Sequence, residues 1–173
     1  SLCDWSSDVC SSDLAGAVIT DNLRIRDAPA MNPVRVGVIG IGNMGWHHAR
    51  VLSLLRDAEL VGVADPDAAR GSLAVEQFGC RWFADYRDLL PEAEAVCIAV
   101  PTLLHHRVGM QALNAGLHVL IEKPIAATQE EAEELITAAE QAGKLLQVGH
   151  IERFNPAFRE LLKVVAEIGR AHV

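Results

Sequence analysis

The sequence lacks the spacings that would give its cysteines a chemical role. Cys3, Cys10, Cys80 and Cys97 form no CxxC pair and no Cys/His ligand pattern, which excludes a zinc finger or a redox couple and leaves reduced thiols, with Cys97 a small hydrophobe inside AVCIAV. Basic residues are also in the minority. Fifteen Lys and Arg against twenty-three Asp and Glu give a net charge of -8, the wrong sign for a protein that neutralises nucleic-acid phosphates. No uncharged apolar run reaches the roughly 18 residues of a membrane-spanning helix, and no basic stretch leads into an apolar one as in a secretory signal. Nucleic acid and membrane are therefore not expected partners, no metal site is expected, and the cytoplasm is the expected compartment. What is present is material for a core. Half of the 173 residues are hydrophobic and 22% are charged, a globular composition that excludes a disordered chain; the length suits one domain and is short for a two-domain enzyme.

The two ends read differently from the middle. Residues 1–14, SLCDWSSDVCSSDL, repeat SSD without helical or strand periodicity, so nothing in them favours packing. They resemble a translated sequencing adapter, in which TCT TCC GAT CT reads Ser-Ser-Asp-Leu. Ile168 to Val173, IGRAHV, matches ATC GGA AGA GCA CAC GTC in the same way. On this reading residues 1–30 are a non-native or disordered leader, Met31 is a candidate start, residues 31–166 are the domain, and 167–173 are an adapter-like tail. The frame is then part of a longer gene, cut before a further domain.

From Val34 onward, short apolar β-rich runs recur: VRVGVI (34–39), LVGVA (60–64), AVCIAV (95–100), HVLIE (118–122) and LLQVG (145–149), with CRWF (80–83) a weaker candidate. Segments of helical character separate them. Continuous rather than alternating apolar strands belong to a sheet covered on both faces, and helix-containing connections imply parallel order, so the expected fold is a doubly wound parallel α/β sheet of the Rossmann type. The helix over 129–142 is the clearest: Thr128 and Glu131 form a capping box, Ala132, Leu135, Ile136 and Ala139 share one face, and Gly143 stops it. A helix over roughly 104–115 stops at Gly116, and Asn155-Pro156 opens a final one.

The chemistry-bearing motifs fall where such strands end. Gly40, Gly42 and Gly45 form GxGxxG between the first strand and a helix: Gly40 for a tight turn, Gly42 for backbone approach to a diphosphate, Gly45 for close helix packing. The amides of Asn43 and Met44 then meet the diphosphate in the positive end of the helix dipole. Asp65, twenty residues beyond Gly45 at the end of the second strand, suits the ribose hydroxyls and repels a 2'-phosphate, favouring NAD over NADP; the plainer alternative is an Asp65-Pro66 helix cap. Pro101, Thr102 and His105 leave the fourth strand on the ligand side, where Thr102 and His105 could face the nicotinamide half; a surface role is the alternative for His105. Glu122-Lys123-Pro124 reaches the same edge. A partly desolvated Lys123 beside a cationic ring suits general acid/base work, the alternative being a surface salt bridge. His150 and Arg153 emerge toward the same cleft, Arg153 either to hold an anionic substrate group or to tie down a loop.

Taken in order, GVIGIGNMGxxHA, VGVADPD, AVPTLLH, AGLHVLIEKP and VGHIERFNP resemble the glucose-fructose oxidoreductase and inositol dehydrogenase (Gfo/Idh/MocA) family over residues 34–166. The VGHIERFNP ending looks most like UDP-N-acetylglucosamine 3-dehydrogenases and related nucleotide-sugar enzymes. The resemblance implies an NAD-binding domain joined, in the whole protein, to a C-terminal α/β domain that binds a sugar and supplies an Asp and a His to the lysine, and an oligomeric parent. By position it assigns Gly40, Gly42, Asn43 and Met44 to the diphosphate loop, Asp65 to the ribose, Pro101, Thr102 and His105 to the nicotinamide side, and Glu122 and Lys123 to the EKP pair, whose lysine contacts both nicotinamide and the substrate hydroxyl. Leu117 stands where the family's AGKHV carries lysine, a change expected to matter little because it precedes a strand. The implied activity is oxidation of a ring hydroxyl of a sugar or nucleotide sugar by hydride transfer to NAD; a non-catalytic dinucleotide-binding module is the alternative, and a methyltransferase, which needs neither the EKP lysine nor a diphosphate loop, suits the residues less well.

Overall fold

A computed structural model describes residues 32–170, with side chains to 165. The adapter-like segment 1–14 with Cys3 and Cys10, the rest of the leader to residue 30, the candidate start Met31, and residues 171–173 of the adapter-like tail lie outside the described residues. Six parallel strands, β1 (Val34–Ile39), β2 (Ala58–Ala64), β3 (Arg81–Phe83), β4 (Ala95–Ile98), β5 (His118–Ile121) and β6 (Leu146–Val148), form one sheet in the order β3-β2-β1-β4-β5-β6. Strand order reverses between β1 and β4, the switch point at which open α/β sheets bind ligands. The helices are α1 (Asn43–Leu52), α2 (Ala68–Phe78), the short α3 (Tyr86–Leu89), α4 (His105–Asn114), α5 (Gln129–Ala142) and α6 (Pro156–Arg170).

The continuous apolar strands cover two faces, as the pattern requires. Successive strand residues point to opposite sides, so Ile39, Val96, Ile98 and Ile121 join one core with Val108, Ala112 and Leu113 of α4 and Leu135 of α5, while Val38, Val63 and Cys97 join a second with Ala49 of α1 and Ala74 of α2. Leu135 is fully buried, and a Cβ added at Gly109 of α4 would lie 2.7 Å from its Cδ2. Leu135→Ala is expected to cost about 3 kcal/mol through the void it leaves, read as a lower denaturant midpoint; an unchanged midpoint would show that α5 does not anchor this face.

Several boundaries move. The expected strands shorten at their carboxyl ends, leaving Ala99, Val100, Glu122 and Gly149 as loop residues at the ligand edge, and β2 begins earlier, at Ala58. CRWF does pair, as β3 against β2. On α5 the cap is as expected at Thr128, whose hydroxyl accepts from Glu131 N at 3.2 Å, but Glu131 reaches back to Ala127 N rather than to the cap residue. Ile136, expected on the apolar face, is 48% exposed, and Ala138 takes its place in the core. Leu117 also departs from expectation: it is 3% exposed and part of the larger core, where burying such a side chain contributes roughly 1.5–3 kcal/mol.

Candidate cofactor site

The carboxyl edge of the sheet carries a cavity of about 890 Å³ lined by Gly40, Gly42, Asn43, Met44, Asp65, Pro66 and Pro101, with Arg70, Tyr86, Arg87, Arg107 and Gln111 on its far wall. Each glycine of the GxGxxG motif has its own reason to be there. Gly40 has φ +89°, and a Cβ on it would lie 2.8 Å from the Ala99 carbonyl oxygen. Gly45 has no room: its Cβ would lie 1.8 Å from the Gly40 carbonyl oxygen, so α1 can pack on the turn only with hydrogen at that position. Gly42 is different, because its backbone is extended and nothing lies within 4 Å of a Cβ built on it. Neither strain nor packing requires glycine at 42, and the open space faces a cavity.

The start of α1 is also left open. Asp67, Asp85 and Thr128 cap α2, α3 and α5 with side-chain oxygens, whereas α1 has no side-chain cap and no acidic residue in its first turn. Its first amides and the positive end of its dipole are thus available to an anion. Asp65 is 8% exposed; its Oδ2 accepts from Ile41 N at 2.7 Å and its Oδ1 from Asp67 N at 2.9 Å. It therefore ties the glycine turn to the end of β2 while each oxygen keeps a further acceptor site. The helix cap proposed for Asp65-Pro66 belongs to Asp67, whose Oδ1 accepts from Ala69 N and Arg70 N. Trp82 of β3 donates from Nε1 to the Asp65 carbonyl at 3.0 Å, a restraint with no local sign in the sequence.

The nicotinamide-side expectations are corrected in part. Pro101 lines the cavity; Thr102 begins a short 3-10 turn and does not. His105 faces inward, not toward a ligand: it is 1% exposed, with Nδ1 2.8 Å from the Pro124 carbonyl oxygen and Nε2 2.9 Å from that of Val100. The ring thus braces the β4 exit against the EKP segment. His105→Phe, which removes the one N–H that a neutral ring donates to these carbonyls, is expected to cost about 1–3 kcal/mol for the carbonyl it orphans, visible as a fall in melting temperature; no fall would remove the brace.

Glu122 is likewise buried, its Oε1 2.8 Å from His48 Nε2 on α1. Burial, with the charge of Glu122 adding to it, pushes the Cys97 thiol up to about 12, and burial also raises Cys80; both thiols are inert at neutral pH. Lys123 follows β5 on the carboxyl edge, next to β4, with its side chain exposed rather than partly desolvated, because nothing among the described residues covers it. His150 and Arg153 line a second concavity of about 620 Å³ with Phe154 and Arg159, separate from the glycine cavity. Sequence reading passed over Arg70 and Arg87, which come to the cavity wall already paired, Arg70 with Asp67 at 3.3 Å and Arg87 with Asp85, where the guanidinium holds the carboxyl down to about 2.

The chain is similar to known proteins. The family described as "Oxidoreductase family, NAD-binding Rossmann fold" matches residues 34–150. UDP-N-acetylglucosamine 3-dehydrogenase of Acidithiobacillus ferrooxidans is 40% identical over 128 residues, 74% of this chain and 40% of that protein; its solved structure superposes with a TM-score of 0.72 at 39% identity, over 78% of this chain and 44% of its own. Scyllo-inositol dehydrogenase of Lactobacillus casei, solved with NAD(H) and scyllo-inositol, gives 0.73 at 28% identity over 79% and 42%. A 3-ketoreductase variant from Actinomadura kijaniata, solved with TDP-benzene and NADP, gives 0.74 at 31% over 79% and 44%. The chain spans less than half the length of each. With its GxGxxG turn, six-stranded parallel sheet and EKP segment, the chain belongs to the Gfo/Idh/MocA oxidoreductase family, of which it carries the NAD-binding Rossmann domain.

Proposed function

We propose that this chain is the cofactor-binding half of an NAD-dependent sugar or nucleotide-sugar dehydrogenase that oxidises a ring hydroxyl. The observation that carries the reading is the glycine turn: the space left at Gly42, beside an uncapped helix start and a buried carboxylate, fits a dinucleotide diphosphate and ribose. When bound, the oxidised nicotinamide supplies the acceptor for the hydride that leaves the substrate carbon.

The chain's own residues bind and orient. The amides of Asn43 and Met44 hold the diphosphate, the free acceptor sites of Asp65 hold the ribose hydroxyls, and Pro101 bounds the nicotinamide side. Lys123 accepts the substrate hydroxyl proton at Nζ, which lets the carbon release its hydride without building an oxocarbenium charge. His150 and Arg153 serve the substrate side, where a nucleotide sugar brings phosphates for the guanidinium. The coenzyme is NAD: Asp65 repels a 2'-phosphate, and Arg70 and Arg87 are already engaged by Asp67 and Asp85. NADP+ is accordingly expected to bind at least about 10-fold more weakly than NAD+, or about 1.4 kcal/mol, by calorimetric titration; equal affinities would contradict the assignment. The chain alone is expected to bind NAD+ without turning over sugar, because substrate contacts and proton partners come from the rest of the parent protein. A parent protein that binds NAD+ but oxidises neither sugars nor nucleotide sugars would replace this reading with a non-catalytic dinucleotide module.

A further inference from the structure

We propose that His48 is a positioning residue for Lys123, acting through the buried carboxylate of Glu122. The inference rests on Lys123 being the proton-accepting group of the proposed dehydrogenase. Glu122 is the first residue after β5 and is 8% exposed. A carboxylate so placed must have both oxygens satisfied. Its Oε1 accepts from His48 Nε2 at 2.8 Å, and its Oε2 accepts from the Lys123 backbone N–H at 3.2 Å. Because a carboxylate only accepts, Nε2 carries the proton in this pair.

The far side of the carboxylate is closed by Gly149, just beyond β6. A Cβ there would lie 3.1 Å from Oε1 and 3.2 Å from Oε2, so any larger residue would press on the carboxylate. The titratable groups facing Glu122 from the packed elements are His48 of α1 and Cys97 of β4. Among the described residues no ion pair reaches the Lys123 amine, so its placement is set by its backbone. That backbone hangs from a carboxylate held by α1, the same helix whose first amides open on the glycine cavity. One rigid element therefore sets both where a diphosphate sits and where the reacting amine stands.

Lys123, Lys144 and Lys163 are the only lysines of the chain, so reductive ¹³C-dimethylation gives three resolved lysine signals, with Lys123 assigned by Lys123→Arg. Two quantities are read on the full chain: hydrogen exchange of the Lys123 amide without coenzyme, and the shift of the Lys123 methyl signal on adding NAD+. In His48→Ala the amide is expected to exchange about 10-fold faster and the methyl shift to be lost, while NAD+ still saturates by calorimetry. His48→Gln, which keeps a donor at the Nε2 position, restores both. Wild-type exchange and a full methyl shift in His48→Ala would overturn the proposal, as would faster exchange spread evenly over α1 and β5, the mark of mere destabilisation. Should wild-type protein bind no NAD+, the dehydrogenase reading falls, and the Lys123 amide alone decides for or against the clamp.

Discussion

Gly45→Ala is expected to unfold or grossly destabilise the domain, whereas Gly42→Ala is expected to leave the fold intact and weaken coenzyme binding. The two glycines stand three residues apart in one motif, yet opposite surroundings separate them. At 45 the added carbon would sit 1.8 Å from a backbone carbonyl oxygen of Gly40, a partner that cannot rotate away; α1 must lift off the turn. The cost lies at or above the upper end of ordinary overpacking, about 3 kcal/mol, and lowers the melting temperature by about 10 °C or more for a domain of this size. At 42 the added carbon meets nothing, and stability should stay within about 0.5 kcal/mol. The methyl then occupies the approach a diphosphate needs, and NAD+ affinity should fall at least about 10-fold, or about 1.4 kcal/mol. Paired thermal melts and NAD+ titrations separate the two roles. A stable Gly45→Ala, or a Gly42→Ala that binds normally, would contradict the geometry.

Lys123→Ala, made in the catalytically competent parent protein, is expected to lower kcat by about 10²–10⁴-fold, the usual contribution of a positioned acid/base group, with NAD+ affinity nearly unchanged. The side chain is exposed and unpaired in the described residues, so its removal leaves no void and no orphaned buried charge to confuse the result. Loss of turnover with an intact melt therefore reports chemistry rather than folding. Equal turnover would remove Lys123 from the reaction.

Much of this architecture was legible because it is written locally. Apolar runs such as VRVGVI and AVCIAV, separated by helices, are enough to imply a parallel sheet covered on both faces; the glycine spacing and Asp65 mark its ligand edge. Gly143 ends α5 in a left-handed conformation, φ +63°, where the sequence placed the stop. What could not be read depends on partners far away in the chain. His105 belongs to the carbonyls of Val100 and Pro124, and Glu122 to a histidine 74 residues earlier; nothing around either residue signals an inward side chain. Leu117 and Ile136 fail for the same reason in opposite directions, since burial at an element's end or flank is decided by the neighbouring layer. Asp65 served two readings because Asp67, two residues on, is an equally good cap, and only coordinates show which carboxylate takes which amides.

The most direct test is an NAD+ titration of the ¹⁵N-labelled chain followed amide by amide. Saturable shifts centred on Gly42, Asn43 and Met44, extending to Asp65 and to the Lys123 amide, are the expected result. Absence of saturation, or shifts confined to the His150–Arg159 concavity while the glycine turn stays silent, would contradict a dinucleotide lying along this sheet edge.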